Sequence, residues 1–186
     1  MDGIFEEQLE KAKVFHGEIC GGVLTGTKMA IYAIEEFNLN FNEKNPELIS
    51  IVEIDRCVYD AVQAITQGST GTKSVKLIDY GKFAITFYNK ETGKAIRLTD
   101  VDASSSNDTG ETIDERIERY KNTPAQELFK IENVNVYFDE NNLPGMPKIK
   151  KRCSVCNEVV LDNKHSLING KPICQSCFKG SYYEII

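Results

Sequence analysis

Three β-prone runs, Val75-Lys76-Leu77-Ile78, Phe83-Ala84-Ile85-Thr86-Phe87-Tyr88 and Lys94-Ala95-Ile96-Arg97-Leu98, are separated by Asp79-Tyr80-Gly81-Lys82 and Asn89-Lys90-Glu91-Thr92-Gly93. β-branched and aromatic residues recur through the runs, and the two spacers hold the Asp, Asn and Gly that tight turns require. The stretch reads as an antiparallel meander. Upstream, residues 5–14 are amphipathic at helical spacing, and a second helix starts near Cys20 and runs to about Phe37, with Val23, Ala30, Ile34 and Phe37 on one face. Residues 49–54 read as a strand, Asp55 as an N-cap, and residues 57–65 as a short helix with Val58, Val62 and Ile65 on one side and Cys57, Asp60, Ala61 and Ala64 on the other. Helices in a block around a meander, instead of alternating with strands, define an α+β class: an antiparallel sheet with flanking helices.

Downstream, residues 102–110 hold three consecutive serines and read as a polar loop; residues 113–121 and 124–130 read as helices and 134–138 as a closing strand. Asn141-Asn142-Leu143-Pro144-Gly145-Met146-Pro147 is dense in turn formers and precedes Lys148, Lys150, Lys151 and Arg152, the signature of a linker. The expected organisation is a core domain over residues 1–143, a linker over 144–151 and a zinc-ribbon domain over 152–186. The 186 residues are 41% hydrophobic and 27% charged, an ordinary globular composition. The net charge of -6 is unevenly spread, because residues 148–186 carry seven Lys/Arg against three Asp/Glu. An acidic body disfavours nucleic acid as a partner, since phosphate binding needs clustered positive charge. Apolar runs fall well short of the roughly 20 residues that span a bilayer, and the acidic start lacks a signal-peptide layout. The expectation is a cytoplasmic protein with no membrane segment.

Four of the six cysteines form two C-x2-C pairs, Cys153 with Cys156 and Cys174 with Cys177, with seventeen residues between the pairs. Zinc takes four tetrahedral ligands, and each such turn offers two thiolates together with backbone amides that offset their charge. The interval carries Val159-Val160-Leu161, a polar turn at residues 162–165, Leu167-Ile168 and an Asn169-Gly170 hairpin signal. This is a small zinc ribbon around one structural zinc. His165 reads as a solvated turn residue, because four thiolates already complete the shell.

The other two cysteines mark a second constellation. Phe15-His16-Gly17-Glu18-Ile19-Cys20-Gly21-Gly22 sets a histidine four positions before a cysteine at a helix start, and Cys57 begins another helix after Asp55-Arg56. A thiol at a helix N-terminus meets unpaired amides and the positive end of the dipole, which favours the thiolate. His16, Cys20 and Cys57 are therefore candidate ligands of a second metal, and equally a candidate nucleophile set or ordinary buried residues.

At these residues the chain resembles the formylmethanofuran dehydrogenase E-subunit family, whose signature is a His-Gly-His-x-Cys-Pro-Gly stretch opening a helix. The likeness extends to Val52-Glu53, to Cys57-Val58-Tyr59-Asp60-Ala61, to residues 66–71, to Asp79-Tyr80-Gly81-Lys82 and to residues 88–97. Glu18 stands where the family has its second histidine, Gly21 where it has proline, and Gly68 where it usually has a cysteine. His16, Cys20, Cys57, Asp60 and Lys82 survive as candidate site residues, and Glu18 retains an oxygen for a metal. The resemblance implies an α+β core that pairs into a homodimer, a C-terminal zinc module, and a link to one-carbon metabolism with a molybdenum or tungsten enzyme as protein partner. It points to a metal-binding accessory protein with a Cys/His cleft. Two alternatives stay open: a thiol-dependent enzyme with Cys20 as nucleophile, His16 as base and Lys82 or Asp60 orienting substrate, and a metal- or redox-sensing interaction module.

Overall fold

The computed structural model describes residues 3–101 and 110–186, so of the polar loop expected at 102–110 only Gly110 lies among the described residues. The chain divides into two compact units, Met1–Tyr137 and Phe138–Ile186. The first unit opens with α1 (Ile4–His16) and α2 (Gly21–Glu36), then β1 (Leu48–Val52), α3 (Cys57–Thr66), β2 (Val75–Leu77), β3 (Ala84–Asn89), β4 (Ala95–Thr99), α4 (Ile113–Asn122), α5 (Ala125–Leu128) and β5 (Lys130–Asn133). The second unit holds β6 (Lys150–Arg152), β7 (Val159–Leu161), β8 (His165–Ile168), β9 (Lys171–Cys174) and α6 (Gln175–Lys179).

The α+β class holds. Among the described residues, the first unit has a five-stranded sheet in the order β2-β1-β3-β4-β5. Here the expected meander is corrected in one place: β2 pairs parallel with β1, Ser50 opposite Val75, so β1 separates β2 from β3. Asp79-Tyr80-Gly81-Lys82 is thus a crossing, not a hairpin turn; its Tyr80 and Lys82 amides both donate to the Glu53 carbonyl. Short apolar runs cannot announce their neighbour; here α3 is the crossover that joins β1 to β2, and a helical crossover returns the chain parallel. The β3–β4 hairpin forms as expected, with Asn89 Oδ1 accepting from the Glu91 and Thr92 amides. Two further readings are corrected. The helix expected at 124–130 is only the single turn α5, and the strand that closes the first unit's sheet is Lys130–Asn133, paired with β4, instead of residues 134–138. The N-cap of α3 is Arg56 and not Asp55.

One face of the sheet carries Leu48, Val52, Ile85, Phe87, Ile96 and Leu98 into a single core with α1, α2 and α3. The opposite face carries Glu53 and Arg97, joined by two hydrogen bonds of 2.7 Å, with Arg97 Nη1 donating to Thr99 at 2.8 Å. This fork-to-fork pair is mostly buried, and breaking it by removing one partner strands a charge, at a cost of about 3–5 kcal/mol.

The helices meet unusually closely. A Cβ on Gly26 would stand 2.8 Å from both the Val58 carbonyl and the Ala61 Cβ, and one on Gly22 would stand 3.0 Å from the Cys57 Cβ. Two side-chain-free positions one turn apart let α2 lie against the backbone of α3. We expect Gly26→Ala to destabilise the fold: a helical Gly→Ala exchange gains about 1 kcal/mol of propensity, whereas overpacking costs roughly 1–3 kcal/mol. Denaturant unfolding measures the balance, and a more stable variant would mean that the helix contact is soft.

Candidate metal centre

In the second unit the chain turns twice to bring thiols together. Asn157, with φ +65°, closes the first knuckle as its amide donates to the Cys153 carbonyl at 3.0 Å. Asn169 and Gly170, at φ +50° and +76°, form the tight turn between β8 and β9 that returns Cys174 to the first pair. Sulfur atoms of Cys153, Cys156, Cys174 and Cys177 all lie within 4.8 Å of one another. Cys156 and Cys174 are 3.8 Å apart, the edge of a tetrahedron with zinc–sulfur bonds of about 2.3 Å.

Amides of Val155 and Cys174 donate to the Cys153 sulfur at 3.4 and 3.3 Å, and that of Cys177 to Cys174 at 3.4 Å. Donation by the Cys174 and Cys156 backbones brings the Cys153 thiol down to about 6, while its hydrogen bond to Cys174 and the neighbouring sulfurs push Cys177 up to about 12. Four sulfurs sharing so little space could all be thiolates only with a cation among them. The donor set fits zinc and leaves no open position. His165 is not a turn residue: it begins β8 directly opposite Cys174, and its Nδ1 is buried without a hydrogen-bond partner.

In the first unit, α1 ends at His16. Gly17, at φ +106°, takes the left-handed conformation that closes the helix, its amide donating to Lys13 at 2.7 Å. That reversal folds the chain back to Cys20, the N-cap of α2. The close α2–α3 contact places Cys57, the first residue of α3, beside it. One donor atom from each of His16, Cys20 and Cys57 lies within 4.8 Å of the other two, and all three residues are partly exposed. His16 Nδ1 is 2.8 Å from Asp60 Oδ2. With Nδ1 engaged by a carboxylate, Nε2 presents its lone pair, the arrangement that orients a metal-ligating imidazole. Burial and the adjacent Cys20 raise the Cys57 thiol above its ordinary range.

Asp60 thus stands behind the trio. Glu18 is exposed and outside it. Lys82 is also not one of the three; its ammonium lies 5.9 Å from the Tyr80 ring centroid. Gly68 cannot be refitted simply with a cysteine, because a Cβ there would stand 2.6 Å from a Val75 methyl. One neighbour escaped sequence reading altogether. Arg116, in α4, is buried and lies so near Gly21 that a Cβ would meet Nη1 at 2.9 Å, with Glu111 accepting from Nε at 3.3 Å. A proline at Gly21 would press on this guanidinium. No local pattern links residues so distant in sequence.

The protein-family model "FmdE, Molybdenum formylmethanofuran dehydrogenase operon" matches residues 15–130, more than half of the chain. A probable S-adenosyl-L-methionine-binding protein of Archaeoglobus fulgidus is 27% identical over 205 residues, covering 96% of this chain and 54% of the relative. The chain therefore spans about half the length of that curated relative. Among solved structures, an FmdE-like protein from Syntrophus aciditrophicus, named for the tungsten formylmethanofuran dehydrogenase, superposes with a TM-score of 0.65 at 24% identity, covering 97% of this chain and 95% of that one. At that identity the likeness is one of fold.

Cys20 caps a helix among glycines, whereas burial raises the Cys57 thiol. Alkylation of the metal-free protein at neutral pH, mapped by mass spectrometry, should modify Cys20 before Cys57. The reverse order would place the more nucleophilic sulfur on α3.

Proposed function

The chain belongs to the FmdE family, and from that premise we propose that it is a metal-binding accessory protein with two sites: a structural zinc in a C-terminal ribbon and a second metal held by His16, Cys20 and Cys57. The observation that carries the second site is the meeting of one imidazole and two thiols from separate elements within 4.8 Å, with the imidazole oriented by Asp60. One nitrogen and two sulfur donors suit zinc, and three protein ligands leave a fourth position for an exogenous ligand. When bound, the cation would supply Lewis acidity there. The chain's own work is positional: Asp60 holds the His16 ring, and Gly22 and Gly26 hold α2 and α3 at the separation that pairs the cysteines. Cys153, Cys156, Cys174 and Cys177 close the ribbon site, whose role is to fold a unit with little apolar core of its own.

The family's name supports a molybdenum or tungsten enzyme of one-carbon metabolism as partner, and we extend the reading to a cytoplasmic homodimer. Among the described residues no helix is long and apolar enough to cross a membrane. A second reading draws on the same geometry. Cys20 as nucleophile, His16 as base and Asp60 behind its ring form a thiol–imidazole–carboxylate series that needs no metal.

Metal content separates the two. Elemental analysis of the purified chain should return two zinc equivalents, falling to one in Cys20→Ser; one equivalent in both proteins favours the thiol enzyme or an interaction module. Chelation strong enough to strip the ribbon should unfold residues 152–186 while the melt of the first unit persists. Loss of both transitions together would refute independent domains. Light scattering should give twice the 20.9 kDa chain mass.

A further inference from the structure

Cys20 and Cys57 form a pair with a chemistry that the metal reading does not use. They are two free thiols, both partly exposed, with sulfurs within 4.8 Å of each other on two different helices. Their backbones are fixed by contact of α2 on α3, since a Cβ at Gly22 would already stand 3.0 Å from the Cys57 Cβ. Closing to a sulfur–sulfur bond of about 2 Å needs the two side chains to rotate, with Cβ atoms about 3.8 Å apart in the product. His16 lies within the same 4.8 Å of both sulfurs and is held there by Asp60, so a proton acceptor and donor stands at the pair.

We propose that Cys20 and Cys57 form a peroxide-oxidisable dithiol whose disulfide excludes metal from the site. The oxidant is a hydroperoxide. The Cys20 sulfur, its proton passed to His16, attacks one peroxide oxygen; the oxygen–oxygen bond breaks, Cys20 becomes a sulfenic acid, and the leaving hydroxide takes a proton and departs as water. The Cys57 thiolate then attacks the Cys20 sulfur, the sulfur–oxygen bond breaks, and the second hydroxide leaves as water with the proton of Cys57. The two thiols lose two electrons and two protons, and hydrogen peroxide becomes two waters. A cation bound there would lose two of its three protein ligands, because the neutral sulfurs of a disulfide are far weaker donors than thiolates, and the two protons that metal-bound thiolates lack would come from solvent. His16 alone does not retain it. This release step rests on the metal reading given above; the dithiol does not.

The test treats the zinc-loaded full chain with hydrogen peroxide beside Cys20→Ser and Cys57→Ser chains. The expected result is a Cys20–Cys57 cross-linked peptide, an intact mass lower by two hydrogens, and one zinc equivalent appearing in a chromogenic chelator over the same time course. All three should reverse with dithiothreitol and zinc. Cys20→Ser, which should start with the ribbon zinc alone, should form no cross-link and release no zinc over that time, and Cys57→Ser should accumulate a sulfenic acid on Cys20 that dimedone traps. Separate sulfinic acids on the two residues, or oxidation confined to the ribbon, would overturn the proposal. A chain that carries only the ribbon zinc at the start and still forms the cross-link overturns the metal reading and the release step, and upholds the dithiol.

Discussion

The close approach of α2 to α3 is the constraint on which the first unit depends. Gly22 and Gly26 present bare backbone to Cys57, Val58 and Ala61. Any side chain at these positions would meet a carbonyl or a Cβ at or inside 3.0 Å, so the helices would have to part. Parting them would open the core beneath, where Val23, Ala30 and Ile34 of α2 and Val58, Val62 and Ile65 of α3 are wholly or nearly wholly buried. It would also separate the two helix starts that carry Cys20 and Cys57. Packing and chemistry therefore share one contact.

Around that contact the remaining parts divide their tasks. The sheet supplies a flat apolar face for the three helices, with Phe87 fully buried at its centre. On the other face the Glu53–Arg97 pair ties the end of β1 to β4, just before the turn that leads into Cys57. Gly17 reverses the chain between α1 and α2 with a positive φ that other residues adopt only under strain. Asp60, on the same helix as Cys57, reaches the His16 ring on α1. The trio thus sits at the ends of three helices, each braced by the core, and the three donor groups have little freedom left to lose.

The ribbon works on different physics. Its side chains are mostly exposed, with Val155, Val159, Leu161 and Leu167 all open to solvent and only Cys153 and Cys174 buried. Two short two-stranded sheets with so little apolar burial are marginal in water. Amides that donate to sulfur, and four sulfurs within 4.8 Å of one another, are what the proposed zinc would need to order this unit.

Much of this was legible in the order of residues, because local rules govern it. Paired C-x2-C spacing, Asn169-Gly170 between β-prone runs and the apolar period of α2 and α3 are short-range signals, and each has its counterpart in the structure. The motifs at His16, Cys20 and Cys57-Val58-Tyr59-Asp60-Ala61 also sufficed to place the chain in its family. Tertiary structure decided the rest. That β2 runs parallel beside β1, that residues 130–133 form the strand closing the first unit's sheet, that Asp60 meets His16 and that Arg116 lies over Gly21 all join positions well separated along the chain. Such pairs are chosen by competition among packing partners, which a periodic pattern does not record. Gly22 and Gly26 show the division most plainly: the sequence reveals two glycines in a helix, and only the neighbouring backbone explains why a side chain has no room there.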